Sequence, residues 1–280
     1  MSNDVRGDAP PDGACDSHVH VFHGSVDAAI DRPTPNLLLA SLDQLGFDRA
    51  VVVSSAIPGT AGSGNAATAR VLSLAPERLR GIALLSESSE REQIELLGTQ
   101  GFVGARFSYM DLDALRAGRP MGPRVDRPRA LTQMATVMRE IGWQAHIFGT
   151  CSQIVAETGF LATLQVPVVI DHMGWLSDTS PRGATFREFV AAVKAEGWWV
   201  KLSALRNGPI GALDSVRPFH DALLEAAPDR MIWGSDWPFV GMPGGSTSSR
   251  ILYDQFARWT PDADLLHAVL VTNPAELFGF

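Results

Sequence analysis

The chain has little cysteine: among its 280 residues only Cys15 and Cys151 occur, far apart in sequence. Two such cysteines cannot build a disulfide scaffold, and the count fits a reducing compartment. Positive charge is in deficit too. Lys and Arg number 23 against 31 Asp and Glu, a formal net charge of -8, which argues against nucleic acid or an anionic membrane surface as partner. An anionic substrate stays open, because a few local arginines matter more than the total. No apolar run approaches the roughly 20 residues needed to cross a bilayer. The polar, Pro/Gly-rich start MSNDVRGDAPPDGA carries no hydrophobic signal core. These absences predict a cytoplasmic protein with a small-molecule substrate, no nucleic acid and no membrane partner, and they leave a homo-oligomer open.

What is present fits one large α/β domain spanning 1–280, with 1–12 a flexible N-terminal segment. Hydrophobic residues make up 45% and charged residues 19%, enough apolar material for a full core. Eight short apolar or β-branched runs recur as candidate strands: 14–22, 50–56, 80–86, 102–108, 143–149, 167–174, 198–204 and 231–238. Helical stripes lie between them, such as Leu131, Met134, Met138 and Ile141, or Phe186, Phe189, Val190 and Val193. Thr34-Pro35 and Asn273-Pro274-Ala275-Glu276 read as helix starts. Strands alternating with helices imply parallel pairing. Eight of them in this length favour a single (β/α)8 TIM barrel over an open doubly wound sheet. The segment from Asp111 to Arg129, with five arginines, reads as a long loop after the fourth strand.

Chemistry-bearing residues gather at the strand ends. Asp16-Ser17-His18-Val19-His20 puts His18 and His20 on one face of the first strand, because a strand has a two-residue side-chain period. Two imidazoles inside a barrel are costly unless they hold a metal, a substrate or mutual hydrogen bonds. His146 lies late in the fifth strand, His172 at the end of the sixth and Asp236 at the end of the eighth. All five fall on the face where such barrels build their sites. His23, His220 and His267 read as loop or helix-surface residues without a role. Lys201 reads as structural, and the tryptophans as barrel packing.

Histidine-x-histidine on strand one, histidines on strands five and six and aspartate on strand eight resemble the signature of the amidohydrolase superfamily. Pro-Asp-Gly-Ala-Cys-Asp-Ser-His-Val-His-Val-Phe, Val-Val-Ile-Asp-His-Met-Gly, Trp-Gly-Ser-Asp-Trp-Pro and the closing Asn-Pro-Ala-Glu-Leu-Phe look most like its branch of 2-pyrone-4,6-dicarboxylate and sugar lactonases. That resemblance implies hydrolysis of a small cyclic ester, a carboxylated intermediate of aromatic catabolism or a sugar lactone. Asp236 would be the general base, with His172 polarising the carbonyl or delivering a proton. Arg106 and Arg206 match two of the branch's carboxylate-gripping arginines. A third arginine has no counterpart, and the branch's loop tyrosine corresponds to Pro33. The metal-independent pyrone lactonase has tyrosine where this chain has His146, so His146 is either a substrate contact or a metal ligand. In the second case His18, His20, His146 and Asp236 would hold one divalent ion, zinc, with an open position; no organic cofactor is implied. A metal-dependent decarboxylase of the same superfamily and a non-catalytic binding barrel are the competing readings.

Overall fold

A computed structural model of the protein describes residues 9–22, 35–55, 64–110, 129–208, 210–240 and 247–280. Eight strands form one sheet in chain order: β1 (Cys15–Val19), β2 (Arg49–Val53), β3 (Leu79–Leu84), β4 (Phe102–Ser108), β5 (Gln144–Phe148), β6 (Val168–Ile170), β7 (Trp199–Leu202) and β8 (Met231–Trp233). Every neighbouring pair is parallel. The sheet closes where the Asp236 N–H donates to the His18 carbonyl at 2.9 Å and the His20 N–H donates to the Trp237 carbonyl at 2.8 Å. A parallel bridge between Val19 and Trp237 completes this seam. The architecture is the single (β/α)8 barrel that the strand count predicts.

The helices are α1 (Pro35–Leu45), α2 (Gly64–Leu72), α3 (Arg91–Thr99), α4 (Arg129–Glu140), α5 (Cys151–Ala156), α6 (Thr158–Thr163), α7 (Ala184–Glu196), α8 (Arg217–Ala226), α9 (Ser249–Trp259), α10 (Ala263–His267) and α11 (Asn273–Phe278). Both sequence stripes face inward: Leu131, Met134 and Met138 of α4, and Phe186, Phe189 and Val193 of α7, are buried against the outer face of the sheet. None of the described helices is long and apolar enough to cross a membrane. His220, expected on a surface, is buried in α8, where its Nε2 lies 3.2 Å from Thr260 Oγ1 and its ring packs on Trp259. Asn273 does not cap a helix either. The chain enters α11 already helical, and the Asn273 amide instead donates to the Pro228 and Met231 carbonyls at 2.9 and 2.7 Å. Of the loop expected at 111–129, residues 111–128 lie outside the described residues, as does most of the segment 1–12, and Arg129 opens α4.

Inside the barrel a floor of Cys15, Val51, Val53, Ile82, Val169, Trp199 and Ile232 packs on Leu277 and Phe278 of α11. Above it the interior turns polar, and strict alternation fails on two strands. Between Asp16↔Ala50 and Val19↔Val52, β1 advances three residues while β2 advances two. That bulge moves the inward set from Cys15 to His18 and His20. A second extra residue in β4, between Phe102 and Gly104, does the same for Arg106.

At the seam, Gly234 is required by space. A Cβ there would stand 2.7 Å from His18 Cβ and 3.0 Å from its nitrogen, so β8 and β1 would have to separate. Gly234→Ala is expected to destabilise the protein by about 1–3 kcal/mol, the usual cost of overpacking, seen as a lowered unfolding midpoint. An unchanged midpoint would mean that the seam yields freely.

Candidate active site at the barrel mouth

The first cluster forms on the seam. His20 Nδ1 lies 2.6 Å from the Val53 carbonyl oxygen, to which it donates, and this leaves Nε2 with a free lone pair. That Nε2 lies 3.3 Å from His18 Nε2 and 3.3 Å from Asp236 Oδ1, and His18 Nε2 lies 3.7 Å from the same oxygen. The other oxygen of Asp236 accepts from Arg206 Nε, and Arg206 Nη1 donates to the Val240 carbonyl at 2.9 Å. Burial alone would raise the Asp236 carboxyl. The Arg206 guanidinium outweighs it and holds the group well below the usual range, so it is ionised.

A second cluster lies just beneath. Asp171 directly follows β6 and has a fully buried carboxylate. Its Oδ2 accepts from Arg106 Nε at 2.7 Å, and its Oδ1 pairs with Lys201 Nζ at 3.0 Å. Burial pushes this carboxyl up, but Lys201 and Arg106 bring it well below the normal value. Lys201 also reaches His18 Nδ1 at 3.2 Å, while Asp171 Oδ1 stands 3.6 Å from that nitrogen. Three cationic side chains thus face two carboxylates, and the site is biased toward an anion. The Arg106 guanidinium rests 4.4 Å over the Phe148 ring. With its Nε committed to Asp171, its two terminal nitrogens have no other partner among the described residues and can grip a planar anion.

His172 follows Asp171 directly, and regular alternation would turn it out of the barrel. It adopts a left-handed conformation instead (φ 51°), as do Met173 and Trp175, and both Asp171 and His172 serve the mouth. Asp236 is left-handed too (φ 64°). Non-glycine residues rarely adopt this conformation, and such strain concentrates at functional sites. The His172 ring stands 4.6 Å from that of His18 and edge-on to Phe148 and Trp175. It is 2% exposed, and its Nδ1 has no hydrogen-bond partner among the described residues. A buried polar atom without a partner is what a group kept for substrate looks like.

His146 is not brought to this mouth. Its Nε2 lies 3.3 Å from Gln144 Oε1, its Nδ1 is 3.9 Å from Asp171 Oδ1, and its ring stacks near Phe278 of the floor. The strand period explains it: Phe148, two residues on, takes the strand-five position at the rim. His146 therefore stands apart from the expected metal set. The ligand-type atoms of His18, His172 and Asp236 lie within 4.8 Å of one another. The triangle of His18 Nε2, His20 Nε2 and Asp236 Oδ1 has sides near the ~3.3 Å edge of a tetrahedral zinc site with bonds of about 2.0–2.1 Å. His20 is already fixed in the ligating tautomer by its bond to the Val53 carbonyl. The residues fit a divalent ion.

Burial lowers His146 and His172 to about 3 and holds His18 well below 6.5, so all three imidazoles are neutral in the fold. Between about 3 and 6.5 the unfolded chain therefore binds more protons at these groups, and stability falls as pH drops through that window. Asp16, raised to about 7 by burial, opposes this with a single proton. The unfolding midpoint is expected to fall from pH 7 to pH 5 in buffers of equal ionic strength; a rise would contradict these protonation states.

The amidohydrolase family model matches residues 15–280. Over 284 residues the chain is 31% identical to 4-sulfomuconolactone hydrolase of Rhizobium radiobacter, covering 97% of this chain and 91% of that one. It is 28% identical over 290 residues to 2-pyrone-4,6-dicarboxylate hydrolase of Comamonas testosteroni, covering 96% and 90%. A solved structure of a probable 2-pyrone-4,6-dicarboxylic acid hydrolase from Acinetobacter baumannii, with citric acid bound, has the same fold. Its TM-score is 0.78 at 24% identity, with 96% of this chain and all of that one covered. With the strand-end site and a family match that spans nearly its whole length, the chain belongs to the amidohydrolase family.

Proposed function

We propose that this chain hydrolyses a small lactone that carries at least one further anionic group. The observation that carries it is an ionised Asp236 beside a His172 Nδ1 without a partner among the described residues, under a surplus of positive charge from Arg106, Arg206 and Lys201. The named substrates of the two curated relatives, a sulfonated and a dicarboxylated lactone, support the same class.

The roles follow from the geometry. Arg206 occupies Asp236 Oδ2, which leaves Oδ1 to accept a proton from the attacking water. Neutral His172 donates a hydrogen bond to the ester carbonyl and supports the oxyanion as the tetrahedral centre forms. When the ring C–O bond breaks, the proton on Asp236 passes to the departing oxygen, giving a hydroxy acid. Arg106, held by Asp171 and by the Phe148 face, takes the remote anion. His18, His20 and Asp236 are the residues that would hold a zinc ion; the chemistry it supplies is Lewis-acid polarisation of the carbonyl.

Asp236→Asn is expected to lower turnover of an acidic lactone by roughly 10²–10⁴-fold, since the amide cannot take the proton. Activity within a few-fold of wild type would move the base elsewhere. Zinc measured in the same preparations tests the ion: a stoichiometric amount supports it, and a metal-free chain with full turnover removes it.

Arg106→Ala tests the anion. On an acidic lactone the loss should be on the order of 2–4 kcal/mol in transition-state binding, judged from truncated charge pairs. A neutral sugar lactone should feel little. Equal losses on both, or none, would make Arg106 structural and favour a neutral substrate.

A further inference from the structure

Asn207 belongs to no motif singled out in the sequence, yet its side chain uses both ends on the mouth of the barrel. Its Oδ1 accepts the Leu176 N–H at 2.8 Å. Its Nδ2 donates to the His172 carbonyl at 2.8 Å and to the Ser203 carbonyl at 3.0 Å. The first two bonds bracket the left-handed run at His172, Met173 and Trp175, and the third ties that run to the end of β7. Left-handed conformations of non-glycine residues are strained and persist only where the surroundings over-determine them. Asn207 supplies that determination.

Its neighbour Arg206 holds Asp236. Two consecutive residues after β7 thus clamp the two groups that must meet across the carbonyl, the base and the donor imidazole. We propose that Asn207 is the positioning residue for His172 in lactone hydrolysis, fixing the turn that carries its ring into the mouth; this rests on the function proposed above. Asn207 touches no reacting atom. Its effect falls on the chemical step, because Arg106 is held by Asp171 from β6 and Phe148 from β5 and keeps its grip without it.

The test is Asn207→Ala, read in three ways. On an acidic lactone, kcat is expected to fall about 10–100-fold with KM within about two-fold, the mark of an interaction lost in the transition state. Amide exchange should quicken across 172–178, while the other strands keep their protection. The unfolding midpoint should drop by only a few degrees. Unchanged kcat, or KM rising in step with a collapse in stability, overturns the proposal. A wild-type chain that opens no lactone refutes the proposed function, and exchange across 172–178 then decides alone whether Asn207 holds the His172 turn. Unaltered exchange there refutes the proposal whatever the kinetics show.

Discussion

The hydrogen bonds that close the barrel between β8 and β1 also set the spacing of the site. Asp236 donates its own N–H to the His18 carbonyl, and His20 donates to the residue after Asp236. The carboxylate and the two imidazoles are therefore neighbours by backbone pairing before any side chain chooses a rotamer. Gly234 enforces the approach, since no Cβ fits between it and His18. Nothing in this arrangement depends on a flexible loop, which suits a site whose contacts must hold to a fraction of an ångström.

Seating so many polar groups inside a barrel is costly unless each is paired. Here the pairing is shared. Asp171 pairs with both Lys201 and Arg106, and Asp236 is matched to Arg206. Both carboxylates stay ionised because cations outweigh the penalty of burial, while His18, His146 and His172 stay neutral because nothing outweighs it. Neutral imidazoles donate and accept hydrogen bonds without adding charge, so the surplus positive field is left for the substrate. The same pairing serves orientation: each carboxylate takes an arginine by Nε and so aims the rest of the guanidinium.

Much of this was legible in the sequence, and what was not has physical causes. The eight apolar runs gave the strands, although β6 and β8 end several residues early, at the left-handed turns of His172 and Asp236. Alternation correctly paired His18 with His20 but could not reveal the bulge that turns both inward. His146 misled because counting along β5 does not show which inward position reaches the rim; Phe148 does. Asp171 was hidden by its neighbour, since two consecutive inward residues break the period on which strand reading rests. Lys201 and Asn207 belong to no motif, and it is the pairing of β7 with β6 that brings them to Asp171 and to the His172 turn.

The central claim is that water adds to a lactone carbonyl at this mouth. It is tested most directly by turning over an acidic lactone in ¹⁸O-labelled water and analysing the product by mass spectrometry. Addition to the carbonyl predicts a ring-opened hydroxy acid with one labelled oxygen, located in the new carboxylate. Label in the hydroxyl instead, or release of carbon dioxide without ring opening, would contradict it.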